Sequence, residues 1–234
     1  MPFKLAEDRR RRWAALLAFV FTPAAVWSGY SIVHNAPGAW SENTSGATIA
    51  RYLSLHRDNL SGGLFMQGLA AVLLVSLVLV LYELLAGDGG WSWTRGGFLS
   101  CAVIAAAIDL VGLVSGVALV QVTPAAATGA TATLWYLNLA TEGAIGFPLA
   151  AMLLLLGVVI WRSSVLPRWS AVVSFAAAVS QVACAVSVTI HAWGKTGGGP
   201  QTPAWLAGWS LLTAGALLLE RRRSTAPVTE PRLS

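Results

Sequence analysis

The feature that most constrains this chain is the apolar run over residues 98–122, interrupted near its middle by one carboxylate, Asp109. At about 1.5 Å per residue, a helix of that length crosses a hydrocarbon core of about 30 Å. Asp109 would then lie close to the midplane, where insertion scales put an Asp at about 2.5–3.5 kcal/mol. A side chain with that cost has to face other protein or a wet cavity, so the run predicts a helix bundle and not a lone anchor.

Composition agrees. Hydrophobic residues make up 56% of the 234 and charged residues only 11%, against roughly 25% charged in an ordinary soluble domain. Mean hydropathy is +0.67. The chain cannot cover itself with a polar surface. Its formal net charge of +5 would point toward nucleic acid in a soluble protein. Here the basic residues sit at the ends of apolar runs, which makes them topology signals, and no nucleic-acid motif is present.

Read in order, the chain begins with a basic N-terminus over 1–12 that carries Lys4 and Arg9 to Arg12, expected in the cytoplasm. Six spans are expected over about 13–33, 64–85, 98–122, 144–161, 169–190 and 204–219, followed by a cytoplasmic, disordered tail over 220–234. The first span is too long for a signal-peptide core and reads as an uncleaved anchor. Pro23 should kink it, with Thr22 or a neighbouring helix satisfying the freed carbonyl. Between the first two spans, Ile49, Tyr52, Leu53 and Leu60 recur at helical spacing, a short interfacial helix over 47–60, and Gly62-Gly63 should release the chain into span two. Residues 123–143 read as a loop, and Pro148 sits in the first turns of span four. With both termini inside, twelve of the fifteen Lys and Arg residues fall in cytoplasmic segments, as the positive-inside rule requires.

Asp109 is the sharpest candidate for chemistry. It shares a helical face with Cys101, Ala105, Gly112 and Gly116, and the Gly-x-x-x-Gly spacing lets another helix approach closely. Span five offers a stripe of Ser174, Ala178, Gln181, Cys184 and Ala185. The expectation is that Asp109 and Gln181 meet near the midplane as an acid and its orienting amide, with Ser76, Gly112, Gly116, Cys184 and Thr213 lining a ligand site. The competing reading makes Asp109 interhelical hydrogen-bond glue, worth about 1 kcal/mol.

His34, His56 and His191 all map to the outer side and are weak metal candidates, with Glu42, Asp58 or Glu142 as partners. No pair has ligand spacing, so no metal or other cofactor is expected. Glu142 reads as a helix-dipole partner capped by Thr141, and Glu83 as a structural residue in reach of water. Trp13, Trp91, Trp93, Trp135, Trp161, Trp169 and Trp193 cluster at span ends as interfacial anchors. Cys101 and Cys184 read as small packing residues at different depths.

The turn Trp161-Arg162-Ser163-Ser164-Val165-Leu166-Pro167-Arg168-Trp169 resembles the Arg-Ser-x-x-Leu-Pro-Arg-Trp turn of small bacterial multi-span proteins grouped as domains of unknown function. The outer helix around Ile49 to Arg57 is similar to theirs in placement. The resemblance implies a multi-span fold in a bacterial plasma membrane and no particular activity.

The expectation is therefore an all-α, six-transmembrane-helix bundle. Its leading function is to bind a lipid-like or small hydrophobic ligand, or a protein partner, within the bundle. The alternatives are an intramembrane acid/base enzyme, cyclase- or isomerase-like, acting on an isoprenoid or lipid through Asp109, and a small proton-coupled exporter using the same residue. Expected partners are the lipid bilayer and a hydrophobic small molecule, with oligomers allowed and no nucleic acid.

Overall fold

The computed structural model describes residues 2–33, 45–86, 92–121, 129–163, 165–189 and 201–225. Among these residues every regular element is a helix. In chain order they are α1 (Pro2–Val33), α2 (Gly46–Leu55), α3 (Arg57–Ala86), α4 (Trp93–Gln121), α5 (Gly129–Ala144), α6 (Gly146–Arg162), α7 (Arg168–Thr189) and α8 (Gln201–Thr225). Three stretches are long and apolar enough to cross a membrane: Arg57–Ala86, Trp93–Gln121 and Arg168–Val186. Gly146–Arg162 and Ala204–Leu219 are shorter apolar helices.

Six of the helices close into a ring. α1 packs on α3, α3 on α4, α4 on α6, α6 on α7, α7 on α8, and α8 returns to α1. One core fills the ring, with Leu77, Leu81, Phe98, Met152, Leu153, Leu156 and Leu217 all buried in it. Helix α5 packs against α4 and α7, and α2 sits over α5. That corner has its own smaller cluster, Ile49, Leu53, Leu60, Leu64, Leu119, Val120 and Trp135.

Several boundaries differ from the sequence expectation, each for a physical reason. Helix α2 ends at Leu55, and the backbone N–H of His56 bonds the Tyr52 carbonyl. Helix α3 begins directly at Arg57, so Gly62 and Gly63 lie inside it and do not mark its start. The expected loop before span four is instead helix α5, which runs almost unbroken into α6. Ile145 N–H still bonds Thr141 O at 3.0 Å, and Leu149 N–H bonds Ile145 O at 3.2 Å. Pro148 has no N–H to offer the Ala144 carbonyl and crowds it, which accounts for a break at this point. The expected disordered tail is helical as far as Thr225.

Helix α1 continues through Pro23. Thr22 Oγ1 donates to the Ala18 carbonyl at 2.9 Å, its own preceding turn, and not to the carbonyl that Pro23 leaves free. The same hydroxyl lies 2.7 Å from Ser210 Oγ and so ties the first helix to the last. A second polar tie runs from Trp209 Nε1 to Ser174 Oγ at 3.1 Å, joining α8 to α7.

One end of the ring is basic. Arg10 pairs with Glu83 at 3.2 Å, and Arg11 reaches the Val165 carbonyl at 3.4 Å. This brings the start of α1, the end of α3 and the α6–α7 turn to one side of the molecule. Arg168 stacks over Trp161 across that turn, 6.0 Å from the ring centroid.

Candidate functional site

Helix α3 buries a row that runs through Leu64, Gln67, Ala71 and Leu74, and Gln67 is its one amide. Helix α4 runs antiparallel beside it, which sets Gln67 opposite Asp109. Gln67 Nε2 donates to Asp109 Oδ1 at 2.6 Å, a short bond for an amide donor. The other carboxyl oxygen, Oδ2, is then the atom that can exchange a proton or accept a second donor.

One turn further along α4, the glycines bring α5 into the cluster. A Cβ on Gly112 would stand 2.7 Å from Thr141 Oγ1 and 3.7 Å from Gln67 Nε2. A Cβ on Gly116 would collide with Leu64 Cδ2 of α3 and come within 3.4 Å of Asn138 Nδ2. Hydrogen at Gly112 leaves room for Thr141, and hydrogen at Gly116 spares the Leu64 side chain a shift, so the three helices meet closely. Asn138 uses the proximity: its Nδ2 donates to the Gly112 carbonyl at 2.8 Å, with Ser115 Oγ 3.4 Å away. Ser115 Oγ donates to the same carbonyl at 2.8 Å, and Thr141 Oγ1 donates to the Asn138 carbonyl at 2.7 Å. Gln67, Asp109, Ser115, Asn138 and Thr141 thus form one polar cluster at the α3–α4–α5 junction.

Asp109 and Gln181 are not brought together. Gln67 holds the carboxylate, and α4 and α7 are separated by α5 and α6. Gln181 is fully buried on α7, where its backbone carbonyl and Ala185 Cβ each stand 2.9 Å from where a Cβ on Gly146 would lie. The span-five stripe is buried throughout, Ser174, Ala178, Cys184 and Ala185 included, as packing against α6 and α8. Ser76 Oγ bonds the Val72 carbonyl and Thr213 Oγ1 the Trp209 carbonyl, each within its own helix. Gly112 and Gly116 are the expected residues that the structure does seat beside Asp109.

His34 and His191 lie outside the described residues. His56 packs on the Tyr52 ring, 4.8 Å between centroids. Among the described residues no three His, Cys, Asp or Glu side chains converge on a metal position. Glu83 is exposed in its pair with Arg10. Of the tryptophans, Trp93, Trp161 and Trp169 are exposed at helix ends and Trp13 is exposed within α1, whereas Trp135 is buried against Tyr52. Both cysteines are free thiols. The Tyr52 phenol is pushed up to about 12 by burial in the α2–α5 corner, and its hydroxyl has no hydrogen-bond partner among the described residues.

Three members of the polar cluster, Gln67, Ser115 and Asn138, are not among the residues the sequence singles out. Asn138 sat in a stretch read as loop, although Thr131, Trp135 and Asn138 recur at four and three residues and are all buried. For Gln67 the signal is its place in the Leu64–Ala71–Leu74 row.

Beside this cluster, α3 and α4 leave an open apolar groove of about 600 Å³. Phe65, Gly68, Leu69 and Val72 form one wall, and Leu113 and Val117 the other. Ser61 and Gln121 close the end nearest the start of α3. Asp109 lies one helical turn beyond Leu113 on α4, opposite Gln67 and so level with the far part of the α3 wall. Comparison with family models, with curated proteins and with solved structures returns no match.

Proposed function

We propose that this chain is a six-span protein of a bacterial plasma membrane, with both termini in the cytoplasm, that holds the chain of a lipid-like ligand in the α3–α4 groove. The observation that carries the ligand is the groove itself. Its volume falls within the roughly 300–1,000 Å³ of small-molecule sites, and its walls are almost wholly apolar.

The membrane setting is supported by the exterior. Phe19 on α1, Phe65 and Val72 on α3, Val114 on α4, Val179 on α7 and Leu219 on α8 are each more than half exposed. Apolar residues facing outward on every side would be untenable for a monomer in water. The orientation is supported by the basic end of the ring, where Arg10, Arg11, Arg162 and Arg168 lie with the start of α1 and the α6–α7 turn. In this reading Asp109 is a tie between helices. Its carboxylate is held by Gln67, and the groups around it are amides and hydroxyls already bonded to backbone.

The test is photolabelling of the reconstituted protein with a phospholipid that carries a diazirine on its acyl chain. Label should concentrate on α3 and α4 peptides and fall severalfold in Val72→Trp, which fills the groove from its open side. Label spread evenly over all the outward helix faces would overturn the reading.

A further inference from the structure

The end of the groove nearest the start of α3 is not apolar. Arg57 stands there, exposed, and one of its guanidinium nitrogens donates to Gln121 Oε1 at 3.2 Å, bridging α3 to the last residue of α4. Ser61, one turn into α3, donates to the Arg57 carbonyl at 2.8 Å and lines the groove just below. A guanidinium has five N–H donors. With Gln121 fixing one edge, the remaining donors are held at the mouth. Asp58, the nearest acid in sequence, is exposed about 100° around the helix from Arg57.

The dimensions narrow the occupant. From Ser61 to Val72 the groove follows α3 for about 16 Å, at 1.5 Å per residue. Half of a hydrocarbon core of about 30 Å is about 15 Å. The groove therefore starts at a cationic mouth and ends near mid-depth, at about the level where Gln67 meets Asp109. That is the profile of one chain of a bilayer lipid standing upright in its own leaflet. A compact hydrophobic molecule would need neither the length nor the cation.

From the charge at one end and the length of the apolar walls, we infer that the groove is a site for an anionic phospholipid, with its phosphate on Arg57 and one acyl chain between α3 and α4. The inference rests on the groove being occupied at all, as proposed above, and adds the head-group class. Arg57 supplies charge-assisted hydrogen bonds to phosphate oxygens, and Gln121 keeps the guanidinium from swinging out to water. Gly68 keeps the floor of the groove low, because a Cβ there would come within 3.1 Å of Leu113 Cδ2.

The experiment uses the full chain in nanodiscs doped with chain-spin-labelled phosphatidylglycerol or with the same label on phosphatidylcholine, and reads the motionally restricted fraction. The expected result is a preference for phosphatidylglycerol of about fivefold, the size of one basic residue's attraction to anionic lipid. Arg57→Gln should abolish the preference while lipid remains restricted, and Val72→Trp should remove the share of the restricted population that the groove holds. Equal restriction of both lipids in the wild type, or a preference unchanged in Arg57→Gln, overturns the head-group assignment and leaves the groove standing. No Val72-dependent restricted population with either lipid overturns both readings together.

Discussion

Asp109 and the glycines beside it carry the most specific chemistry at the scale of single residues. Because Gln67 donates to its carboxyl oxygen, Asp109→Asn should be nearly silent, since an amide carbonyl still accepts that bond. Asp109→Leu withdraws the acceptor from a buried amide and should lower stability by about 1 kcal/mol, the usual worth of such ties between membrane helices. Thermal unfolding in detergent reads both. If Asp109→Asn instead abolishes a measured transport or turnover while the fold persists, the carboxyl is a reagent after all. Gly112 gives a steric counterpart. Gly112→Ala puts a methyl 2.7 Å from Thr141 Oγ1, whereas Gly215→Ala meets nothing within 4 Å. The first should cost about 1–3 kcal/mol by prising α5 from α4. The second should be neutral or stabilising by up to about 1 kcal/mol, since alanine favours helix over glycine. Equal effects would mean that the α4–α5 contact is not tight in solution.

At the scale of elements, the seating of α2 depends on pH. Tyr52 is pushed up to about 12 from 10.0 by burial, so the folded corner prefers the neutral phenol. Its contribution is complete below pH 10 and is lost as the pH rises from about 10 toward 12, because the unfolded chain releases the proton first. Tyr52→Phe should leave stability at neutral pH intact, since the hydroxyl has no partner among the described residues to lose, and should flatten this alkaline fall. Alkaline unfolding followed by circular dichroism, beside phenolate absorbance, tests it. An identical alkaline limb in both proteins would place the titration elsewhere.

The helices themselves were largely legible, because runs of Leu, Val and Ala between charged ends admit few alternatives. The amphipathic spacing of Ile49, Tyr52 and Leu53 marks α2, although the expected helix runs on to Leu60, which belongs to α3, and the Gly112-x-x-x-Gly116 spacing marks a close approach. Which helix makes that approach was not legible. Depth along a span constrains a partner, but Gln181 and Gln67 are both buried amides on apolar helices, and only packing order separates them. Helix α5 is hidden for a different reason: its Ala/Thr/Gly-rich first half has low hydropathy, so nothing in that stretch signals a helix that runs on through Ile145 into α6.

At the scale of the whole molecule, the orientation proposed above, with the basic end of the ring in the cytoplasm, can be measured. In a background with Cys101 and Cys184 replaced, a membrane-impermeant thiol reagent applied to intact cells should label Asp58→Cys and not Asp8→Cys. The reverse pattern would invert the orientation, and labelling of both would break the alternation of spans. The ring also has a direction in time. Its seam joins α1 to α8, and the contact of Thr22 with Ser210 spans nearly the full length of the chain. A ribosome delivers the first half of that seam long before the second, so the opening helix must wait, its inner face uncovered, until synthesis is almost finished. A stop codon before α8 would leave that face permanently bare, and such a product is what membrane proteases are built to find.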